Sequence, residues 1–175
     1  MFRRLTVPLF LFIVSFGFVH VPLLYAQHYT HAPKGFLLSS DYKIQNNPYY
    51  EWVVSQKDHS SALEQAKIEY LIERIRKSPY LFIRNEEEHK SNEAAEHLAW
   101  KYHQGRKYAK TAHDFINNIA SSSIITGNVY LVKLGGGIVC PVREILLNEL
   151  QVLEDQLAGS ANVRATPPAK NSATS

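Results

Sequence analysis

SALEQAKIEYLIERIRKSPYLFI, running from Ser61 to Ile83, decides the fold because its periodicity changes once. Leu63, Ala66, Tyr70, Leu71 and Ile75 recur at helical spacing and make one apolar side, with Glu69, Glu73, Arg74 and Lys77 mostly elsewhere. Ser61-Ala62-Leu63-Glu64 reads as a capping box, in which hydroxyl and carboxylate each take a free backbone N–H. Pro79 stops the helix, since it has no N–H to continue the ladder. Tyr80-Leu81-Phe82-Ile83 is then a short, β-favouring apolar run, read as a strand.

Downstream the same grammar repeats. Ser91 can cap a second helix that turns Ala94, Ala95, Leu98 and Tyr102 inward and ends near Gly105. Thr111-x-x-Asp114 is another capping pair, ahead of the apolar stripe Ala112, Phe115, Ile116, Ile119 and Ala120. Val129-Tyr130-Leu131-Val132 is the second β-like run, and Gly135-Gly136-Gly137 a flexible turn. Pro141 suits a first helical position, opening a last helix with Val142, Ile145, Leu146, Leu150, Val152, Leu153 and Leu157. Two strands apart would leave backbone groups unpaired, so they are expected to pair. The predicted fold is mainly α, four helices with a small two-stranded antiparallel sheet, over residues 61–158.

Upstream, Arg3 and Arg4 precede an uncharged apolar run from Leu5 to Val19, then Pro22 and a small residue, Ala26. This is the order of a signal peptide over 1–26. The run is also close to the ~20 residues that span a bilayer, so cleavage and retention as an anchor both stay open. Either way the remainder is expected outside the cytoplasm, periplasmic or secreted, touching a membrane only if the segment is uncleaved. Residues 27–60, broken by Pro33, Gly35 and Pro48, read as a poorly ordered arm rich in aromatics. Tyr49, Trp52 and Val53 fit one short turn packing on the domain, or a recognition arm for a protein partner. Residues 159–175 read as a disordered tail.

The 175 residues leave room for one domain. Arg3 and Arg4 supply two of the formal +3, so the remainder is nearly neutral and offers no charge for nucleic acid. Cys140 is the single cysteine, which excludes an intrachain disulfide.

Five ordered blocks carry a family resemblance. They are Leu81-Phe82-Ile83-Arg84-Asn85, Glu93-Ala94-Ala95-Glu96-His97-Leu98, Thr111 to Ile116, Ile119 to Ser123, and Thr126-Gly127-x-x-Tyr130-Leu131-Val132. Over residues 62–134 the chain resembles the YfeK-like family of small exported bacterial proteins with a domain of unknown function. The resemblance implies a periplasmic or secreted setting in a Gram-negative bacterium and carries no established activity. The family usually has Gly after the Arg-Asn pair. Glu86 stands there in this chain, so a tight turn would be strained and a more open loop is expected.

Candidate chemistry centres on Arg84, His89, Glu93 and His97. Glu93 and His97 are four apart on one helix face, with His89 just upstream, and such groups suit Zn²⁺. Because the His-Glu-x-x-His spacing is missing, the favoured reading is an imidazole–carboxylate pair that orients the helix, with no metal and no cofactor assigned. Arg84 suits an anion, but the favoured reading is a pairing with Glu93, Glu96 or a helix C-terminus that fixes the turn. Cys140, expected at a helix N-cap, is a candidate reactive thiol set against apolar neighbours that favour an inert one. Ser121-Ser122-Ser123 lacks a nucleophile elbow, and the glycine triplet lacks the Lys of a phosphate loop. The sequence thus favours a non-catalytic binding or interaction module, the alternative being a metal-binding protein or enzyme centred on His89, Glu93 and His97.

Overall fold

The computed structural model describes residues 29–39, 43–56 and 60–165; the expected export segment lies outside them, as do residues 166–175. Five helices are seen: α1 (Tyr50–Ser55), α2 (Ser61–Arg76), α3 (Ser91–Gly105), α4 (Ala112–Asp114) and α5 (Val142–Ala165). The strands are β1 (Leu81–Arg84), β2 (Glu87–His89), β3 (Leu131–Lys133) and β4 (Val139–Pro141), all antiparallel in the order β2-β1-β3-β4.

The predicted pairing of the two apolar runs is present, with Phe82 opposite Val132. Among the described residues the sheet nevertheless has four strands instead of two, and the helices number five instead of four. Each expected strand gains a hairpin partner: β2 on β1, and β4 on β3 through the Gly135–Gly137 turn. The β1–β2 turn is tight rather than open. Asn85 (φ 50°) and Glu86 (φ 72°) both take left-handed backbone, as a two-residue type I′ hairpin requires.

Pleating decides which side chains point at the helices. His89, Phe82, Val132 and Cys140 stand side by side across the sheet, and the last three are buried. Arg84, two residues beyond Phe82, lies on the same face.

All the apolar residues expected inward on α2 are buried, as are Ala112, Phe115, Ile116, Ile119 and Ala120. Two details differ. The α2 cap is Ser60, whose Oγ accepts from Leu63 N at 3.0 Å, while the Glu64 carboxylate accepts from Ala112 N at 2.8 Å and so caps α4 instead. Arg74 is not on a solvated side: it is 1% exposed and pairs with Glu149 of α5, itself 0% exposed. The Thr111–Asp114 capping box forms as expected.

Residues 29–39 and 43–56 are held against the domain where a poorly ordered arm is predicted. Polar side chains of α5 do the holding, a signal without periodicity in the arm itself. Glu144 accepts from Ala32 N, Asn148 donates to the carbonyls of Pro33 and Phe36, and Glu149 accepts from Leu38 N. Asn47, 1% exposed, donates to Tyr70 O, and α1 then buries Val53 on the core. Phe36 packs on Tyr80 with ring centroids 5.9 Å apart. The last helix continues past the expected boundary at 158 to Ala165. Among the described residues no helix is long and apolar enough to cross a membrane.

Candidate functional site

Glu93, His97 and Lys101 recur every four residues on α3, so they form one stripe. That stripe faces the side of the sheet carrying Phe82, Arg84 and His89. Between them lies a cavity of about 80 Å³, lined by Arg84, His89, Glu93, His97 and Tyr130 over an apolar floor that includes Phe82, Leu98 and Val142. All four predicted site residues therefore meet at one place.

They do not meet as metal ligands. His89 Nδ1 lies 3.7 Å from Glu93 Oε2, a loose pair at the mouth. His97 turns the other way, its Nε2 3.4 Å from the Tyr130 hydroxyl, with its ring stacked near Trp100. Among the described residues no three His, Cys, Asp or Glu side chains are grouped as a metal site needs, so the metal-centred alternative has no ligand set there. The reason is geometric: β2 ends at His89 on the sheet edge, and the α3 stripe carries His97 a full turn deeper than Glu93.

Arg84 makes no hydrogen bond or ion pair among the described residues, so it joins neither Glu93 nor Glu96; the latter is 3.8 Å from Arg76. His89 Nε2 is buried without a hydrogen-bond partner. A buried imidazole nitrogen left unsatisfied costs free energy unless something fills the site.

Sequence reasoning missed Lys101 and Tyr130. Lys101 is 6% exposed, and among the described residues no carboxylate pairs with it. Its ammonium donates instead to the carbonyls of Ile119 and Ser122 (the latter 2.8 Å) and to the Tyr130 hydroxyl at 3.2 Å. The Ile119 carbonyl is free for this because the helix ends there: α4 runs into a π-helical turn, Phe115–Ile119, whose closing bond is Ala120 N on Phe115 O at 2.9 Å. Such turns recur at functional sites. The available signal was the placement of Lys101 between two inward residues, Leu98 and Tyr102.

The buried setting and the neighbouring charges shift the acidity of these groups. Burial, then Arg84, brings Lys101 down to about 8. Burial, then Arg84, Lys101 and His89, drives His97 down to about 4, so its ring is neutral at pH 7. Burial raises the Tyr130 phenol, against the pull of Arg84. The site is a half-open, positively biased cleft with an apolar base, able to bind and orient a small ligand.

Cys140 lies elsewhere in the core, within β4 rather than at a helix cap. It is 0% exposed, and burial followed by the Glu144 charge pushes its thiol up to about 11. Ser121 Oγ donates to the Ile116 carbonyl and Ser123 Oγ accepts from Thr126 N, so these hydroxyls close the helix end.

A family profile described as "Family of unknown function (DUF5329)" matches residues 62–154, more than half of the chain. The chain belongs to this family. The DUF5329 match takes in β1 to β4, the whole cavity and the first half of α5. The chain is also 39% identical over 71 residues to "Uncharacterized protein YfeK" of Salmonella typhimurium, which covers 40% of this chain and 59% of that protein. It thus spans less than two thirds of that relative's length. No solved structure matches the chain.

Proposed function

We propose that the chain is an exported, non-catalytic binding module whose DUF5329 domain seats a small ligand between the β1–β2 hairpin and α3. One observation carries this reading: Arg84 and His89 Nε2 both border the cavity and neither has a partner among the described residues. Polar groups that border a cavity and lack a protein partner are what a ligand site offers. The absence of catalysis is inferred from the groups themselves. Cys140 is sealed in the core, and His97, with its ring held neutral, faces a phenol rather than a nucleophile and acid pair.

Export is supported by the Arg3-Arg4 pair, the apolar run and the Pro22–Ala26 segment. N-terminal sequencing from a native envelope fraction should read from Gln27, or find the intact start in the membrane if the segment is retained. Full-length protein in the cytosol would reject export. Binding is tested by an NMR screen of small polar fragments against the ¹⁵N-labelled protein and an Ala94→Phe variant that fills the cavity. Perturbed amides around β1, β2 and α3 in the wild type, silent in Ala94→Phe, are expected. Equal responses in both proteins would reject the site.

A further inference from the structure

We propose that the cavity takes a short-chain monocarboxylate, its carboxylate on the Arg84 guanidinium and its alkyl tail on Phe82 and Leu98. The inference rests on the binding reading above and names the ligand class for the same site.

Charge sets the head group. Two groups charged at pH 7, Arg84 and Lys101, stand at or beside the cavity, and Glu93 is the one carboxylate among the residues lining it. Lys101 is already held by two carbonyls and a phenol, none of which cancels its charge. With His97 neutral, one positive charge is left over, which matches a monoanion. A phosphate dianion would bring a second negative charge against Glu93 at the mouth.

Geometry sets the rest. A guanidinium presents parallel N–H groups that fit the two oxygens of a carboxylate. His89 Nε2, buried beside the same cavity, is a second unpaired polar atom there, donor or acceptor according to the tautomer. Below these groups the floor is hydrocarbon, which favours an alkyl tail over a second polar end. About 80 Å³ admits a head group and a few methylenes; drug-sized ligands need ~300 Å³ or more.

The test is a titration of the ¹⁵N-labelled protein, as purified from its host, with butyrate, neutral butyramide and inorganic phosphate in turn. The inference expects saturable butyrate shifts at His89, Ala94 and Tyr130, with butyramide and phosphate at least tenfold weaker. Arg84→Gln should weaken butyrate at least tenfold while leaving spectra remote from the cavity and the melting temperature unchanged. Butyramide or phosphate binding as tightly as butyrate at these amides, or an indifferent Arg84→Gln, overturns the carboxylate class while leaving the site standing. Silence of these amides toward all three probes, together with a silent fragment screen, removes the site as well.

Discussion

Arg74 on α2 and Glu149 on α5 form a two-point ion pair with both side chains fully buried, Nε to Oε2 at 2.8 Å and Nη2 to Oε1 at 3.1 Å. The same pair grips the arm: Glu149 Oε1 accepts from Leu38 N, and Arg74 Nη2 donates to Ser39 O at 2.9 Å. Removing one partner strands a buried charge, whereas removing both strands none. Arg74→Met should therefore lower stability by about 3–5 kcal/mol, and Arg74→Met with Glu149→Leu should lose less than the single variant. Urea denaturation of the set decides it; additive losses would show that the two residues act independently.

The β1–β2 turn carries a removable strain. Glu86 holds φ at 72°, a conformation that disfavours a side chain with Cβ. Glu86→Gly should raise stability by about 1 kcal/mol without changing the ligand site. A destabilised variant in chemical denaturation would mean that the turn is not left-handed in solution.

His97 predicts an acid sensitivity. Its folded-state pKa, about 4, lies below its ordinary 6.5, so between these values the unfolded chain binds the extra proton. The contribution is fully present above pH 6.5 and lost as pH falls toward 4. His97→Gln should shrink the stability difference between pH 7 and pH 4.5 by on the order of 1–2 kcal/mol, the half-open setting reducing the full linkage value. An identical pH profile in both proteins would contradict the half-buried, neutral ring.

Particular residues show why part of this fold was legible in the sequence. The helical stripes at Leu63–Ile75 and Ala112–Ala120 were readable because burial repeats with the helix period. β1 and β3 were readable as apolar runs. β2 was not, because Glu87, Glu88 and His89 form an edge strand whose charges face water, and Glu86 erased the Asn-Gly hairpin signal. β4 hid behind three glycines and ends in a proline. Arg74 looked solvated since nothing local announces a partner 75 residues away. At the site, helix spacing brought out Glu93 and His97 correctly as neighbours, but only the sheet register places Arg84 and His89 opposite them. Lys101 required the π-turn, which no sequence period reveals.

Cys140 should behave as a core residue. With its thiol near 11, only about one molecule in ten thousand carries thiolate at pH 7. Alkylation of the native protein by iodoacetamide should run at least ~100-fold slower than in denaturant. Comparable rates would place the thiol at the surface.

A crystal structure of the protein grown with saturating butyrate tests the ligand site most directly. The account predicts a carboxylate within hydrogen-bond distance of the Arg84 guanidinium, its tail against Phe82 and Leu98. A vacant cleft under those conditions, or butyrate bound only at another surface, would contradict it.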